Sequence, residues 1–291
     1  SLVIILQRYA AGRRKYSSSL INRPLVKRLK GWKSVGAHLV SWLIVALSTV
    51  PLAIVVLFSF RKTSGPVFHP GFGFESYLKV FYEVPKTITN SLIFSASSVV
   101  LIVIVGTLLG FVLARRRSVP ARVLDPLLMI PYIIPGTVLG IGFIVAFNQK
   151  PLYLLGTGLI IVLAYFIRRL PYSVRSAASI LKQIDPALEE AGINLGAAPG
   201  RTFRKVTLPL MLPGILSGAI MSWVTAINEV SSSILLYVGK TMTMPIRIYL
   251  SVMDGYFGPA SAMSTILLAV TGLALFVLNR FFGLKKESLV G

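Results

Sequence analysis

Glu229 is the first residue of this sequence that invites a chemical reading. It is the one acid inside the apolar run SWVTAINEVSSSILLYV, with Asn228, Ser231, Ser232 and Ser233 around it. An ionisable group inside a bilayer costs roughly 2.5–3.5 kcal/mol on insertion scales, so it persists where it serves a path or ties helices together. Both readings stay open for Asn228, Glu229 and Ser232: a translocation path, or hydrogen bonds between helices. Other chemical signals fail on spacing. Gly239-Lys240-Thr241 resembles the end of a phosphate-binding loop, but the Gly required five residues earlier is Ile234. Gly140-Ile141-Gly142 lacks the third Gly of a dinucleotide fingerprint. The chain has no Cys and two His, His38 and His69, which excludes a thiol nucleophile and leaves too few ligands for a metal centre. No cofactor, metal or catalytic residue is expected.

The elements that must hold these residues follow from composition. Hydrophobic residues make up 55% of the 291 and charged residues 13%, whereas a soluble domain carries about 25% charged residues. Mean hydropathy is +0.78, and the chain falls in the membrane class. Six apolar stretches qualify as spans, near 38–60, 88–114, 123–147, 151–168, 210–238 and 261–282. The third contains Pro126, Pro131 and Pro135, which membrane helices tolerate when neighbours satisfy the freed backbone groups. Gly106/Gly110, Gly136/Gly140 and Gly214/Gly218 are spaced for close helix–helix contact. Tyr132, Tyr165 and Tyr172 read as packing or interface residues.

The net charge of +21 would suggest nucleic-acid binding on a soluble chain. Here it maps topology. Twenty-three of the 30 Lys and Arg fall in alternate segments: before residue 38, at Arg115, Arg116, Arg117 and Arg122, from Arg168 to Lys205, and at the C-terminus at Arg280, Lys285 and Lys286. The positive-inside rule then puts both termini in the cytoplasm. In this scheme Arg168 and Arg169 mark the inner end of the fourth span, and the Arg115–Arg117 triplet anchors the chain near anionic lipid. At the start, SLVIIL is too short to span a bilayer. It is either the end of an earlier span or a trimmed anchor. A cleavable signal peptide fits poorly, because the first long apolar stretch follows a basic segment of 37 residues.

The longest segment between spans, about 169–209, contains a helix of its own. Asp185-Pro186 is a helix start, with Asp185 as cap and Pro186 at the first helical position. Glu189 and Glu190 sit near the positive end of the helix dipole. Ala187, Leu188, Ala191 and Leu195 share an apolar side, and Gly196 is placed to stop the helix. The result is a helix of about ten residues, roughly 15 Å long. It either lies on the membrane surface or docks a cytoplasmic partner; for docking, Ala191 and Gly192 permit close approach and Glu190 offers an acceptor.

The gaps favour docking. The segment resembles the EAA loop of permease subunits of ATP-binding-cassette importers, with the pattern E-A-A-x3-G-x9-I-x-L-P. Glu190, Ala191 and Gly192 take its first three positions, Gly196 the glycine, and Val206, Thr207, Leu208 and Pro209 the end. Two positions depart, Gly192 from Ala and Val206 from Ile, and Gly costs about 1 kcal/mol relative to Ala in a helix interior. LLMIPYIIPGTVLGIGFIVAFN and GTGLIIVLAYFIRRLPYSVRS are similar to the second half of iron(III)-type permeases, and the opening SLVIILQRYAAGRRKY looks like the junction between two fused halves.

The resemblance implies an all-α integral membrane protein with about six transmembrane helices in the type I importer permease fold. Residues 1–37 would be a basic cytoplasmic segment (a candidate linker between halves), 38–282 the permease domain, 183–209 its EAA-like loop and 283–291 a cytoplasmic tail. Glu189, Glu190, Ala191, Gly192, Gly196, Val206, Leu208 and Pro209 would dock the ATPase. Implied partners are two ATP-binding subunits, an extracytoplasmic binding protein landing near 61–87 and 239–260, a second permease half and membrane lipid, with no nucleic acid. The location implied is a bacterial inner membrane. Ferric iron is the first expected cargo, with aminoethylphosphonate, thiamine, polyamine or sulfate as alternatives. An ion-coupled secondary transporter would show more intramembrane charge than Glu229 alone, and an intramembrane enzyme would need a nucleophile or paired carboxylates.

Overall fold

The computed structural model describes residues 31–116 and 118–282, so the expected linker in residues 1–37 lies mostly, and the tail 283–291 wholly, outside the described residues. The chain divides into two parts, residues 1–51 and 52–291. Helix α1 (Trp32–Ser59) begins in the first and ends in the second. It is apolar on every face and carries no acid, the composition of a helix that meets lipid rather than water.

The second part opens with the antiparallel hairpin β1 (Arg61–Ser64) and β2 (Val67–Phe72), followed by α2 (Glu75–Glu83) and α3 (Pro85–Arg115). Next come α4 (Val119–Ile133) and α5 (Gly136–Phe147). A two-residue ladder, β3 (Asn148–Gln149) with β4 (Leu152–Tyr153), leads to α6 (Gly158–Leu181). After α6 lie α7 (Ala187–Asn194), α8 (Pro199–Thr202), a π-helical turn at Phe203–Thr207 and α9 (Leu208–Ile227). The chain closes with α10 (Ser233–Leu236), α11 (Met244–Met253) and α12 (Phe257–Phe282).

Helix α6 is the centre of the bundle, packed between α3 and α9. Small residues make that possible. A Cβ on Gly106 would lie 2.6 Å from Ser173 Oγ, one on Gly110 2.7 Å from Ala177 Cβ, and one on Gly218 2.8 Å from Ser173 Cα. The spacing read as close contact is therefore used on both sides of α6, where the absence of side chains lets the backbones approach. Ala177, Leu181, Met211 and Ile215 form a buried cluster between α6 and α9, with Phe111 and Phe203 edge-on at 5.0 Å beside it.

Several expected spans shift. Among the described residues, four stretches are long and apolar enough to cross a membrane: Trp32–Ser59, Pro85–Arg115, Pro199–Ile227 and Phe257–Val277. The third expected span is broken, α4 and α5 meeting at 105°, because Pro135 has no N–H to carry the helix through. The fourth begins at Gly158 rather than 151 and continues through Pro171 to Leu181. At about 36 Å it is long enough to span, and it carries three arginines, Arg168, Arg169 and Arg175. The fifth starts earlier, at Pro199, and stops at Ile227 instead of running to 238.

Candidate functional site

Helix α7 starts one residue later than expected, with Pro186 rather than Asp185 at its cap position and Ala187 as its first residue, though Asp185 still serves the first turn. The backbone N–H of Ala187 donates to Asp185 Oδ1 at 2.9 Å, so a side-chain carboxylate satisfies an amide that the first turn leaves free. The helix ends in a Schellman arrangement. Gly196, at φ +83°, donates its N–H to Ile193 O at 2.9 Å, and Ala197 donates to Gly192 O at 3.1 Å. Glycine enters this left-handed conformation without the Cβ penalty of other residues.

One side of α7 is tied to the bundle. Arg115, the last residue of α3, donates from Nε and Nη2 to Glu189 Oε1 at 3.0 and 2.8 Å, and from Nη2 to Ile184 O at 3.1 Å. Both side chains are mostly buried. Arg115 is thus committed to α7, a correction to its reading as a lipid anchor; Arg116 is exposed and Arg117 lies outside the described residues. The departure at Gly192 has a local reason: a Cβ there would come within 3.0 Å of the Thr202 methyl, so glycine lets α7 lie close against α8.

The other side of α7 is open. Leu188, Ile193 and Leu195 are exposed at 48%, 47% and 89%, and Ala187, Glu190 and Ala191 are exposed as well. The remaining EAA-like positions lie on the stretch leading into α9. Val206 sits half-buried on the π-helical turn, Leu208 packs against the cluster of Ala177, Leu181, Met211 and Ile215, and Pro209 occupies the first turn of α9. The motif therefore divides into an exposed helix and the base that carries it. Arg115, read from the sequence as a lipid anchor, joins the two together with Thr202 and Phe203, which the sequence did not single out.

The second site surrounds Glu229, which is 2% exposed. Arg168 Nη1 donates to its Oε1 at 2.6 Å, Arg169 Nη2 donates to its Oε2, and the Ser232 N–H donates to Oε1 at 3.2 Å. Tyr165 and Ser233 hydroxyls donate to the Glu229 carbonyl at 3.4 and 2.9 Å. Arg168 and Arg169 lie about 15 Å along α6 from its start, with their side chains packed into the bundle against Glu229. An apolar interior tolerates a charge when it is paired and hydrogen-bonded, and these charges supply each other. Ser232 is fully buried, whereas Asn228 is exposed and turns its amide onto Val224 O at 2.8 Å.

Two helix breaks converge there. A Cβ on Gly136, the first residue of α5, would overlap Arg168 and Ser231, and one on Gly140 would lie 3.0 Å from Ser232 O. The interruption after α4 thus packs against the interruption between α9 and α10. The sequence signal for the arginine pair is that Arg168 and Arg169 interrupt the apolar run LIIVLAYFIRRL as Glu229 interrupts its own.

Comparison with known proteins matches this geometry. Residues 106–287 fit the family described as "Binding-protein-dependent transport system inner membrane component". The chain is 33% identical over 184 residues to the "Ferric transport system permease protein FbpB" of Actinobacillus pleuropneumoniae, covering 63% of this chain and 27% of that protein. It is 29% identical over 248 residues to the "Molybdate/tungstate transport system permease protein WtpB" of Thermococcus kodakarensis, covering 84% and 94%. The chain spans about a quarter of the length of the ferric relatives it matches. In fold it resembles a chain of a bacterial transporter that imports the acidic polysaccharide alginate, with a TM-score of 0.67, 16% identity and coverage of 88% and 99%. This protein belongs to the binding-protein-dependent inner-membrane components, the permeases of ATP-binding-cassette importers.

Proposed function

We propose that this chain forms part of a substrate path and is driven by a separate ATPase that docks on α7. The observation that carries this reading is the two-sidedness of α7: Glu189 and Gly192 bind it to the bundle while Leu188, Ala191, Leu195 and Glu190 stay uncovered. Apolar side chains exposed on a short helix are suited to a groove on a partner. ATP hydrolysis belongs to two such partner subunits, and the permease performs no bond chemistry. Closure of the ATPases moves α7, the Arg115–Glu189 tie passes the motion to α3, and the bundle alternates its access. The EAA-like face is cytoplasmic, as are both termini, by the charge distribution.

A second permease half, fused or separate, completes the path. Asn228 faces it, with Glu229 and Ser232 forming the wall behind; an exposed amide at this depth is unfavourable against lipid. On the outer side, segments 61–87 and 239–260 form one surface, with a cavity of about 240 Å³ lined by Lys79, Glu83 and Arg247 among others. A binding protein delivering cargo lands there.

Ferric iron is the proposed cargo, on the likeness to the ferric permeases. A specific feature favours a second reading. Arg168 and Arg169 outweigh Glu229 by one positive charge, which suits an anionic cargo such as the oxyanions of the molybdate and tungstate relative or the alternatives sulfate and aminoethylphosphonate. The test of the function is copurification and uptake with the complete transporter. A tagged permease should bring down an ATPase, and uptake should stop when hydrolysis is blocked. Uptake that continues without hydrolysis overturns the reading in favour of an ion-coupled transporter.

A further inference from the structure

A basic cavity of about 370 Å³ opens between three helices, apart from the exposed face of α7. Arg116 from the end of α3, Ala121 and Asp125 from α4, and Arg175, Ala178 and Lys182 from α6 line it. Its room comes from small residues, since Ala121 and Ala178 are buried floor positions at 6% and 7% exposure. The size falls in the range of small-molecule sites, about 300–1,000 Å³.

Its charge is unbalanced. Asp125 Oδ1 accepts from Arg175 Nη2 at 3.0 Å, which neutralises one cation of three. Among the described residues, Arg116 and Lys182 have no carboxylate within salt-bridge distance. Both stand at helix C-termini, Arg116 closing α3 and Lys182 closing α6, where the helix dipole favours a cation. The dipole explains why cations stand there. The helix ends offset part of the two charges and both side chains are exposed, but neither fact explains a cavity between them floored by alanines and left with a net positive charge.

We infer that this cavity binds a phosphate-bearing anion, with its oxygens between Arg116 and Lys182. Basic pockets between membrane helices take anionic lipid headgroups, and a soluble phosphate has the same chemistry. The inference is independent of ATPase docking, because none of its residues belongs to the EAA-like face.

The test uses the purified transporter complex in nanodiscs of phosphatidylcholine, with and without phosphatidylglycerol. Native mass spectrometry counts retained lipid; a second arm adds inorganic phosphate to phosphatidylcholine discs and reads the melting temperature. Two charges facing an anionic headgroup should give a preference for phosphatidylglycerol of about thirty-fold. The Arg116→Gln/Lys182→Gln double variant should lose it, and so should Ala121→Leu, which fills the cavity and leaves every charge in place. Arg116→Lys/Lys182→Arg should keep it, which separates binding from misfolding. A melting shift with inorganic phosphate but no retained lipid identifies the source as soluble and supports the site. Equal retention and equal melting behaviour in the wild type and the Gln double variant overturn the inference.

Discussion

Arg115 Nη2 lies 2.8 Å from Glu189 Oε1, joining the last residue of α3 to the first turn of α7 across 74 positions of sequence. The bond lies at the joint between the bundle and the helix proposed to receive the ATPase. Both partners are largely buried, so the pair is screened less than a surface ion pair. Charge-assisted hydrogen bonds of this kind are worth about 1.5–3 kcal/mol.

Breaking that bond should uncouple rather than unfold. Glu189→Gln keeps one weaker hydrogen bond and Arg115→Gln removes the fork. Both variants should insert and assemble, yet show ATPase activity that no longer tracks uptake. The measurement is the ratio of hydrolysis to transport in proteoliposomes. A double-mutant cycle with Arg115→Glu/Glu189→Arg should recover part of the coupling, and independent effects at the two sites would argue against a shared joint.

The exposed side of α7 should govern association. Glu190→Ala removes an outward acceptor without touching the Glu189 tie, and should weaken capture of the ATPase by a tagged permease. Gly196→Val places a β-branched residue at φ +83°, a left-handed conformation costing about 1–2 kcal/mol for such residues, and should disorder the end of α7. Full capture and full coupling in both variants would remove α7 as the docking element.

Glu229 should matter first for the integrity of the bundle. Glu229→Gln leaves Arg168 and Arg169 facing each other without their shared counter-charge. Removing one member of a buried ion pair costs about 3–5 kcal/mol, read as lower thermal stability in detergent. Arg169→Gln combined with Glu229→Gln should be milder than Glu229→Gln alone. If Glu229→Gln melts like the wild type and changes only uptake, the carboxylate serves the path directly.

The glycines of the bundle should separate by contact. Gly106→Val drives a side chain into Ser173 and should destabilise by about 1–3 kcal/mol, the usual range for overpacking. Gly142, inside α5, has open space where a Cβ would stand, so Gly142→Ala should raise the melting temperature slightly, through a helix-propensity gain of about 1 kcal/mol. Equal effects would mean that the α3–α6 approach is looser than the structure has it.

Orientation can be read directly, because the chain has no cysteine and a single introduced thiol is unique. A membrane-impermeant maleimide should label Lys240→Cys in intact spheroplasts and Ala187→Cys only after permeabilisation. The reverse pattern would invert the topology and move α7 to the wrong side for an ATPase.

Much of the fold was legible because lipid imposes a simple requirement: long apolar runs must be helices that satisfy their own backbone. The runs around α1, α3, α9 and α12 are visible for that reason. Spacing exposed α7 as well, since Asp185 and Gly196 are local signals whose hydrogen bonds form within a few residues. Boundaries were less accessible. Pro171 lies inside α6 and Pro135 at a 105° break; both lack an N–H, and only the packing around each decides whether the helix continues.

The arginines show where a linear reading stops. Counted along the chain, Arg115, Arg168 and Arg169 are three positive charges near the ends of apolar runs, and the positive-inside rule assigns them to the membrane edge. Whether an arginine stays at that edge depends on whether a carboxylate is within reach, and here the carboxylates come from residues 60 to 74 positions away. Sequence alone determined the class of the protein, its helical content and the EAA-like segment, because apolar length and fixed local gaps are properties of neighbouring residues. Tertiary structure decided which charges pair across helices, because an ion pair inside a bundle exists only once separate helices have met.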